Sequence, residues 1–260
     1  MASQWQNFLR NLGEWRGSFC SINLAGEIVD CTASILSLEA AEEDRLVRFR
    51  LRRWPTAEQV GEPSRDISED YRSLGRQVVF FESGSFCKGT LQVSPGTAFG
   101  GEFGFVDGDR RHRLVQLHHD SGTLETLVLI REYRAGSSAV EQPALEAGHL
   151  LGTWQGQAAT ISADWPEPDR MDASLTAQSG ADGTLQLSTT IGALTSICEG
   201  RIQLLPDAGY HLSPIQVSHR TSFSVQAGWL PEPGRLECLI RRFDGTGAWQ
   251  SSTQLQLRRV

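Results

Sequence analysis

Apolar and polar positions change their spacing once near the N-terminus and then keep it. Trp5, Phe8, Leu9 and Leu12 recur three and four residues apart, the stripe of a short amphipathic helix over residues 3–12. Ser3 stands where its N-cap belongs, and Gly13 lies just past its end. From Trp15 onward the period is two. Residues 16–23 and 28–38 read as strands around a turn at 24–27. Val47, Phe49 and Leu51 then alternate with Arg48, Arg50 and Arg52, the pattern of a half-buried strand. Residues 54–75 lose the alternation, carry Pro55, Gly61, Pro63 and many charges, and are expected to form a long loop. Strands resume at 77–82, 85–93, 99–106, 112–118 and 123–133, which makes eight in this half.

Residues 135–142 are polar, a linker by composition, and Pro143 is placed to open a second short helix that Gly152 ends. Eight further strand patterns follow at 154–163, 172–179, 184–190, 195–205, 210–217, 222–229, 236–243 and 249–258. The second series repeats the first. Leu12-Gly13-Glu14-Trp15-Arg16-Gly17 returns as Leu151-Gly152-Thr153-Trp154-Gln155-Gly156, 139 residues later. Phe86-Cys87-Lys88-Gly89-Thr90-Leu91-Gln92-Val93 is echoed by Ile197-Cys198-Glu199-Gly200-Arg201-Ile202-Gln203-Leu204. Arg113-Leu114 is echoed by Arg235-Leu236, and Val128-Leu129-Ile130-Arg131 by Leu255-Gln256-Leu257-Arg258. Matches in one order imply a duplicated unit, with domains over 1–136 and 143–260. The predicted fold is all-β. Short half-buried strands in series must hide their edges, and an up-and-down barrel of ~8 strands does so by closing on itself. A sandwich is the structural rival.

Gly13-x-Trp15 and Gly152-x-Trp154, each behind a short helix and each partnered by an arginine on the last strand, resemble the lipocalin/calycin signature. That resemblance implies tandem eight-stranded lipocalin-like barrels in which the tryptophan closes one end and the arginine packs on its ring. Carried onto this chain, the barrel-closing pairs are Trp15 with Arg131 and Trp154 with Arg258. The run Phe99-Gly100-Gly101-Glu102-Phe103-Gly104-Phe105, with Arg110-Arg111-His112-Arg113-Leu114-Val115-Gln116-Leu117 after it, is similar to a narrower group. These are two-barrel lipocalin-like proteins of uncharacterised function, known mainly from cyanobacteria and plastid-bearing organisms. One plant relative is a chloroplast assembly factor for the ATP synthase. The resemblance therefore implies a non-catalytic, protein-binding assembly or chaperone-like role, with ATP synthase subunits as partners. The alternative it leaves open is a carrier of a small apolar or tetrapyrrole ligand, or a bilin lyase.

Composition narrows the classes. In 260 residues of net charge −7, general phosphate-backbone binding to nucleic acid is not expected. No apolar run approaches a membrane span, and Trp5, Gln6 and Asn7 stand where a signal peptide needs an apolar stretch, so a cytoplasmic location is expected. Five cysteines with no Cys-x-x-Cys spacing read as small buried hydrophobes, Cys87 and Cys198 in particular.

Candidate chemistry is sparse. Neither a nucleophile elbow nor a phosphate-binding glycine loop is present, and the reading leans away from an enzyme and from any cofactor. His112 and His118 share a strand face but lie ~20 Å apart, and His118 and His119 point oppositely, so no metal is expected there. Arg110, Arg111 and Arg113 flank a turn, and read either as solvated charges or as a basic rim that receives an acidic partner. Arg48, Arg50 and Arg52 add a second basic stripe. Glu102 points into the barrel or to solvent, according to which face of its strand is inside.

Overall fold

A computed structural model describes residues 2–165, 167–180, 184–197 and 200–260. The N-terminal stripe forms helix α1 (Gln4–Leu9), capped by Ser3, whose hydroxyl accepts from Gln6 while the Gln6 side chain returns to the Ser3 amide. The strands of the first sheet follow as β1 (Gly13–Ile22), β2 (Ile28–Ala41), β3 (Leu46–Arg53), β4 (Arg65–Tyr71), β5 (Val78–Phe80), β6 (Phe86–Gly89), β7 (Phe99–Asp107), β8 (Arg110–His118) and β9 (Leu124–Arg134). A second short helix, α2 (Ala147–Leu150), precedes β10 (Gly152–Ser162), β11 (Asp169–Ser179), β12 (Leu185–Ile191) and β13 (Leu194–Ile197). The chain ends with β14 (Arg201–Leu204), β15 (Gly209–Ser213), β16 (Phe223–Glu232), β17 (Arg235–Phe243) and β18 (Trp249–Arg259).

The two sheets have one topology. Their orders are β4-β3-β2-β1-β9-β8-β7-β6-β5 and β13-β12-β11-β10-β18-β17-β16-β15-β14. In each, successive strands are neighbours except at the one break between the two edges, and the first strand pairs antiparallel with the last, so each half is a meander curled into a barrel. The expected all-β, tandemly duplicated two-barrel fold is the observed one. Each sheet holds nine strands rather than eight, however, and among the described residues β4 and β5, like β13 and β14, are edges.

The extra strand of the first sheet has a physical reason. The expected 54–75 loop contains β4, which pairs along β3 from Val47↔Tyr71 to Arg53↔Arg65. Its sequence hides this because only two of its seven residues are even half-buried. The expected strand at 195–205 is divided into β13 and β14, with Cys198 and Glu199 outside the described residues.

The edge at β5 is covered by α1. Gln4 Nε2 donates to Phe80 O at 3.0 Å, and Phe80 N donates to Gln4 Oε1 at 2.7 Å, so one amide side chain stands in for a neighbouring strand. Phe8, one turn along the same face of that helix, packs on Phe80, with ring centroids 5.1 Å apart.

The chain packs as two compact units that are discontinuous in sequence. One comprises residues up to Lys88 with 102–115 and 126–141; the other comprises 89–101, 116–125 and 142–260. Trp15, Leu36, Leu38, Val47, Phe80 and Phe86 centre the core of the first unit. Trp154, Leu175, Tyr210, Leu236, Leu255 and Leu257 centre that of the second.

Candidate functional site

The repeated Leu-Gly-x-Trp-x-Gly stretch closes each curled sheet on itself. Gly13 and Gly152 turn the chain from helix to strand at φ +120° and +117°, a region that L side chains avoid. Gly17 and Gly156 serve a different purpose. A Cβ on Gly17 would lie 1.8 Å from Arg131 O across the β1–β9 seam, and one on Gly156 would lie 2.0 Å from Gln256 O. Between them, Trp15 and Trp154 are fully buried, and each indole Nε1 donates back over four residues at 2.8 Å, to Asn11 O and Leu150 O.

The arginines over these rings are not the expected Arg131 and Arg258. Arg134 lies 4.3 Å over Trp15, and Arg259 lies 4.6 Å over Trp154. Register decides this: Trp15 is opposite Arg134 and Trp154 opposite Arg259, so odd-step neighbours point to the other face. Arg131 instead contacts Glu141, and its Nη2 lies 3.1 Å from Cys20 Sγ. Arg258 is exposed and meets Glu232 at 3.4 Å.

Two residues further along the seam, at Glu132, the first unit gathers four charges, three of them buried and Glu102 half-buried. Arg111 Nε donates to Glu132 Oε2 at 2.7 Å, Arg113 Nε lies 3.1 Å from the same oxygen, and Arg113 Nη1 donates to Glu102 Oε1 at 2.8 Å. Arg111 and Glu132 are 3% and 1% exposed. Arg111 also stacks 4.6 Å over Trp15, on the indole that Arg134 covers. Burial by itself would raise the Glu132 carboxyl, but Arg111 and Arg113 outweigh it and hold the group below the ordinary carboxylate value. Burial, then the neighbouring Arg113, depresses Arg111 despite Glu132. Burial also works against Arg113, which Glu132 and Glu102 together keep above its usual value. Two cations and two anions make a neutral group, as a low-dielectric interior demands.

Arg111 and Arg113 thus face inward, against the expectation of a turn-flanking rim. Glu102, whose face the sequence left open, points inward with them. Alternation placed Phe99, Phe103 and Phe105 on the opposite face of β7, and they are buried as well. The unused signal was parity: Glu102, Arg111, Arg113 and Glu132 fall at the interior positions of three adjacent strands. Arg110, on the other face of β8, is half-buried. The β3 arginines are matched by the strand that the sequence concealed. Arg50 grips Asp66 with two bonds of 2.9 and 2.7 Å, Arg52 lies 3.9 Å from Glu14, and Arg48 stands opposite Asp70 and Glu39. The stripe is therefore outward-facing and answered by acids.

Beside the charged group lies a cavity of about 580 Å³ in the first unit. Leu36, Leu38, Phe49 and Leu51 form its apolar wall, Phe8 and Asn11 its floor, and residues 69–78 its rim, next to the opening between β4 and β5. That volume falls in the range of small-molecule sites.

The first half matches the model described as the domain of unknown function DUF3598, N-terminal, over residues 1–137. A crystal structure of a protein of unknown function from the DUF3598 family of Nostoc punctiforme is 36% identical, covers 100% of both chains and superposes with a TM-score of 0.90. The chain belongs to the DUF3598 family. Residues 141–260 match the model described as the C-terminal domain of biogenesis factor required for ATP synthase 1. Transferrin binding protein B of Haemophilus parasuis aligns over 90% of this chain and 61% of its own at 7% identity, but its TM-score of 0.27 carries no argument. No curated protein matches.

The two halves of this DUF3598 protein differ where the charges lie. Glu132 stands opposite Gly17, and the matching partner of Gly156 is Leu257. In the second unit that position is apolar, and Tyr210 and Gln226 reach into the interior, with Tyr210 Oη 3.1 Å from Cys238 Sγ. The same unit buries His211 between Gln116 and Gln203, at 2.6 and 3.2 Å, and buries His118 against Phe99. Burial pushes His118 down to about 4; burial and the neighbouring His118 push His211 down to about 3. Among the described residues no three His, Cys, Asp or Glu side chains are grouped to hold a metal.

The reading of the cysteines as buried hydrophobes needs one correction. Cys20 and Cys31 face each other across β1 and β2 and form a disulfide, whereas Cys87 and Cys238 are buried thiols. Directly opposed positions on a hairpin bring the two sulfurs together, and spacing along the sequence does not reveal it. Cys198 lies outside the described residues. Among the described residues no helix is long and apolar enough to cross a membrane.

Proposed function

We propose that this DUF3598 protein is a cytoplasmic, non-catalytic assembly factor that binds ATP synthase subunits during biogenesis of that enzyme. The observation that carries this reading is the match of residues 141–260 to the C-terminal domain of an ATP synthase biogenesis factor. We take the two halves, 1–136 and 143–260, as lipocalin-like domains; an arginine stacked on a buried Gly-x-Trp indole in each supports that assignment. The packed interior of the second unit also favours a role for its surface. That surface carries exposed apolar side chains, with Leu194 and Ile197 on the edge strand β13 at 77% and 71% exposure.

The test is retention of purified ATP synthase catalytic-sector subunits on the immobilised full-length protein, beside ATP synthase levels in a photosynthetic host lacking the gene. At least one subunit should be retained, and the deletion strain should accumulate less assembled enzyme. The double variant Leu194→Asp/Ile197→Asp should retain less. No retention together with a normal enzyme level would exclude the assembly role.

A further inference from the structure

The fold does not need the disulfide between Cys20 and Cys31. Backbone pairing already holds β1 to β2 on both sides of it, from Gly13↔Leu38 to Ser21↔Asp30. The second sheet builds the same hairpin without one. Trp15↔Leu36 corresponds there to Trp154↔Leu175, and the pair matching Cys20↔Cys31 is Ala159↔Arg170. The surroundings of the bond are also peculiar to the first half. Arg131 Nη2 lies 3.1 Å from Cys20 Sγ and 3.9 Å from Cys31 Sγ, and Ser18 Oγ lies 3.4 Å from Cys20 Sγ. Arg131 stands opposite Ser18 across the seam, where the second half has Gln256 opposite Gln157. Two cysteines and a cation beside them are therefore present together in one repeat and missing together in the other. The two sulfurs are not alike. Cys20 is 0% exposed and collects the polar contacts, whereas Cys31 is half-buried and within reach of solvent.

We propose that Cys20–Cys31 is a reversible redox site, reduced by a protein dithiol in a fixed order. A thiolate of the dithiol attacks Cys31 Sγ, the sulfur that solvent reaches. The Cys20–Cys31 bond breaks, and its electron pair leaves on Cys20 Sγ. The second sulfur of the dithiol then attacks the mixed disulfide and expels Cys31 as a thiolate. The dithiol ends as a disulfide, two electrons have passed to the protein, and the two protons the dithiol gives up balance the two cysteines. Arg131 is a positioning residue for the first step. Its guanidinium, with the Ser18 hydroxyl, stabilises negative charge on Cys20, and a thiol of lower pKa is the faster leaving group. In the cytoplasm a disulfide is usually one that cycles, a point that rests on the location proposed above. The redox chemistry is otherwise independent of the assembly role, and the purified protein tests it without ATP synthase.

The experiment follows reduction of the oxidised full-length protein by reduced thioredoxin, with thiols trapped by iodoacetamide and located by peptide mass spectrometry. Cys20 and Cys31 should become labelled without denaturant, and oxidised glutathione should restore the bond once the reductant is removed. A thioredoxin whose second active-site cysteine is replaced by serine should be captured on Cys31. Arg131→Gln should slow reduction about tenfold, and Arg131→Lys, which keeps a cation there, should retain most of the rate. A variant that merely loosened the barrel would be reduced faster, so the direction of the change separates the two explanations. Each of the following would overturn the proposal: a bond that yields only when the protein is unfolded, capture on Cys20, no restoration by oxidised glutathione, or a rate that Arg131→Gln does not lower.

Discussion

Glu132 shows how much one side chain can commit a barrel to. It is 1% exposed, and its charge is tolerable only because Arg111 and Arg113 both reach it. Arg111→Leu should destabilise the protein by about 3–5 kcal/mol, since it strands half of a buried ion group. Adding Glu132→Leu, the residue type found at 257 in the second half, should recover most of that loss in urea unfolding. The buried imidazoles give a different signature. His118 and His211 have folded values near 4 and 3, below the ordinary 6.5, so the unfolded chain binds more protons across that interval. Their contribution to stability is complete above pH ~6.5 and is lost as pH falls toward those values. Urea midpoints should therefore drop between about pH 7 and pH 5, and His118→Leu should flatten that slope. A slope unchanged by the substitution would mean that other groups carry it.

At the scale of single elements, the same seam is built twice. Gly17→Ala and Gly156→Ala each drive a methyl into a backbone oxygen, at 1.8 and 2.0 Å, with no side chain free to move aside. Each should cost about 3 kcal/mol or more. Comparable losses in thermal unfolding would show that the two closures are equivalent, as the repeated motif implies. The helix α1 is bound to β5 by polar contacts that a packing argument would overlook. Gln4→Ala removes both bonds to Phe80 and should cost about 1–2 kcal/mol. Hydrogen exchange should quicken at the Phe80 amide while amides on β1 and β9 stay protected. Strand β4 explains why edges are hard to read. Arg65, Asp66, Ser68, Glu69 and Asp70 are exposed, so β4 has backbone pairing without the apolar alternation that announces a strand. The β3 arginines therefore read as a bare basic stripe, although Asp66 and Asp70 on the next strand stand beside Arg50 and Arg48.

For the whole molecule, sequence continuity and compactness are different things. The second unit includes residues 89–101 and 116–125 beside 142–260. Within it Trp249 N donates to Leu91 O and Val93 N to Gly247 O, each at 2.8 Å, and Gln116 satisfies His211. A polypeptide of residues 142–260 alone should consequently melt below the full chain, with circular dichroism as the readout. The sequence by itself determined the all-β class, the duplication, a short helix before each barrel (the second starting at Ala147 rather than at Pro143) and the two tryptophans at the seams. Each of these follows from local periodicity or from a repeat, and neither requires knowing what lies across a sheet. Tertiary structure decided which arginine covers each indole, that Cys20 meets Cys31, that Glu102, Arg111 and Arg113 turn inward, and that a chamber lies beside those charges in the first barrel. Those outcomes depend on register and on which face of each strand is enclosed, and pairing between residues as far apart as Trp15 and Arg134 sets both.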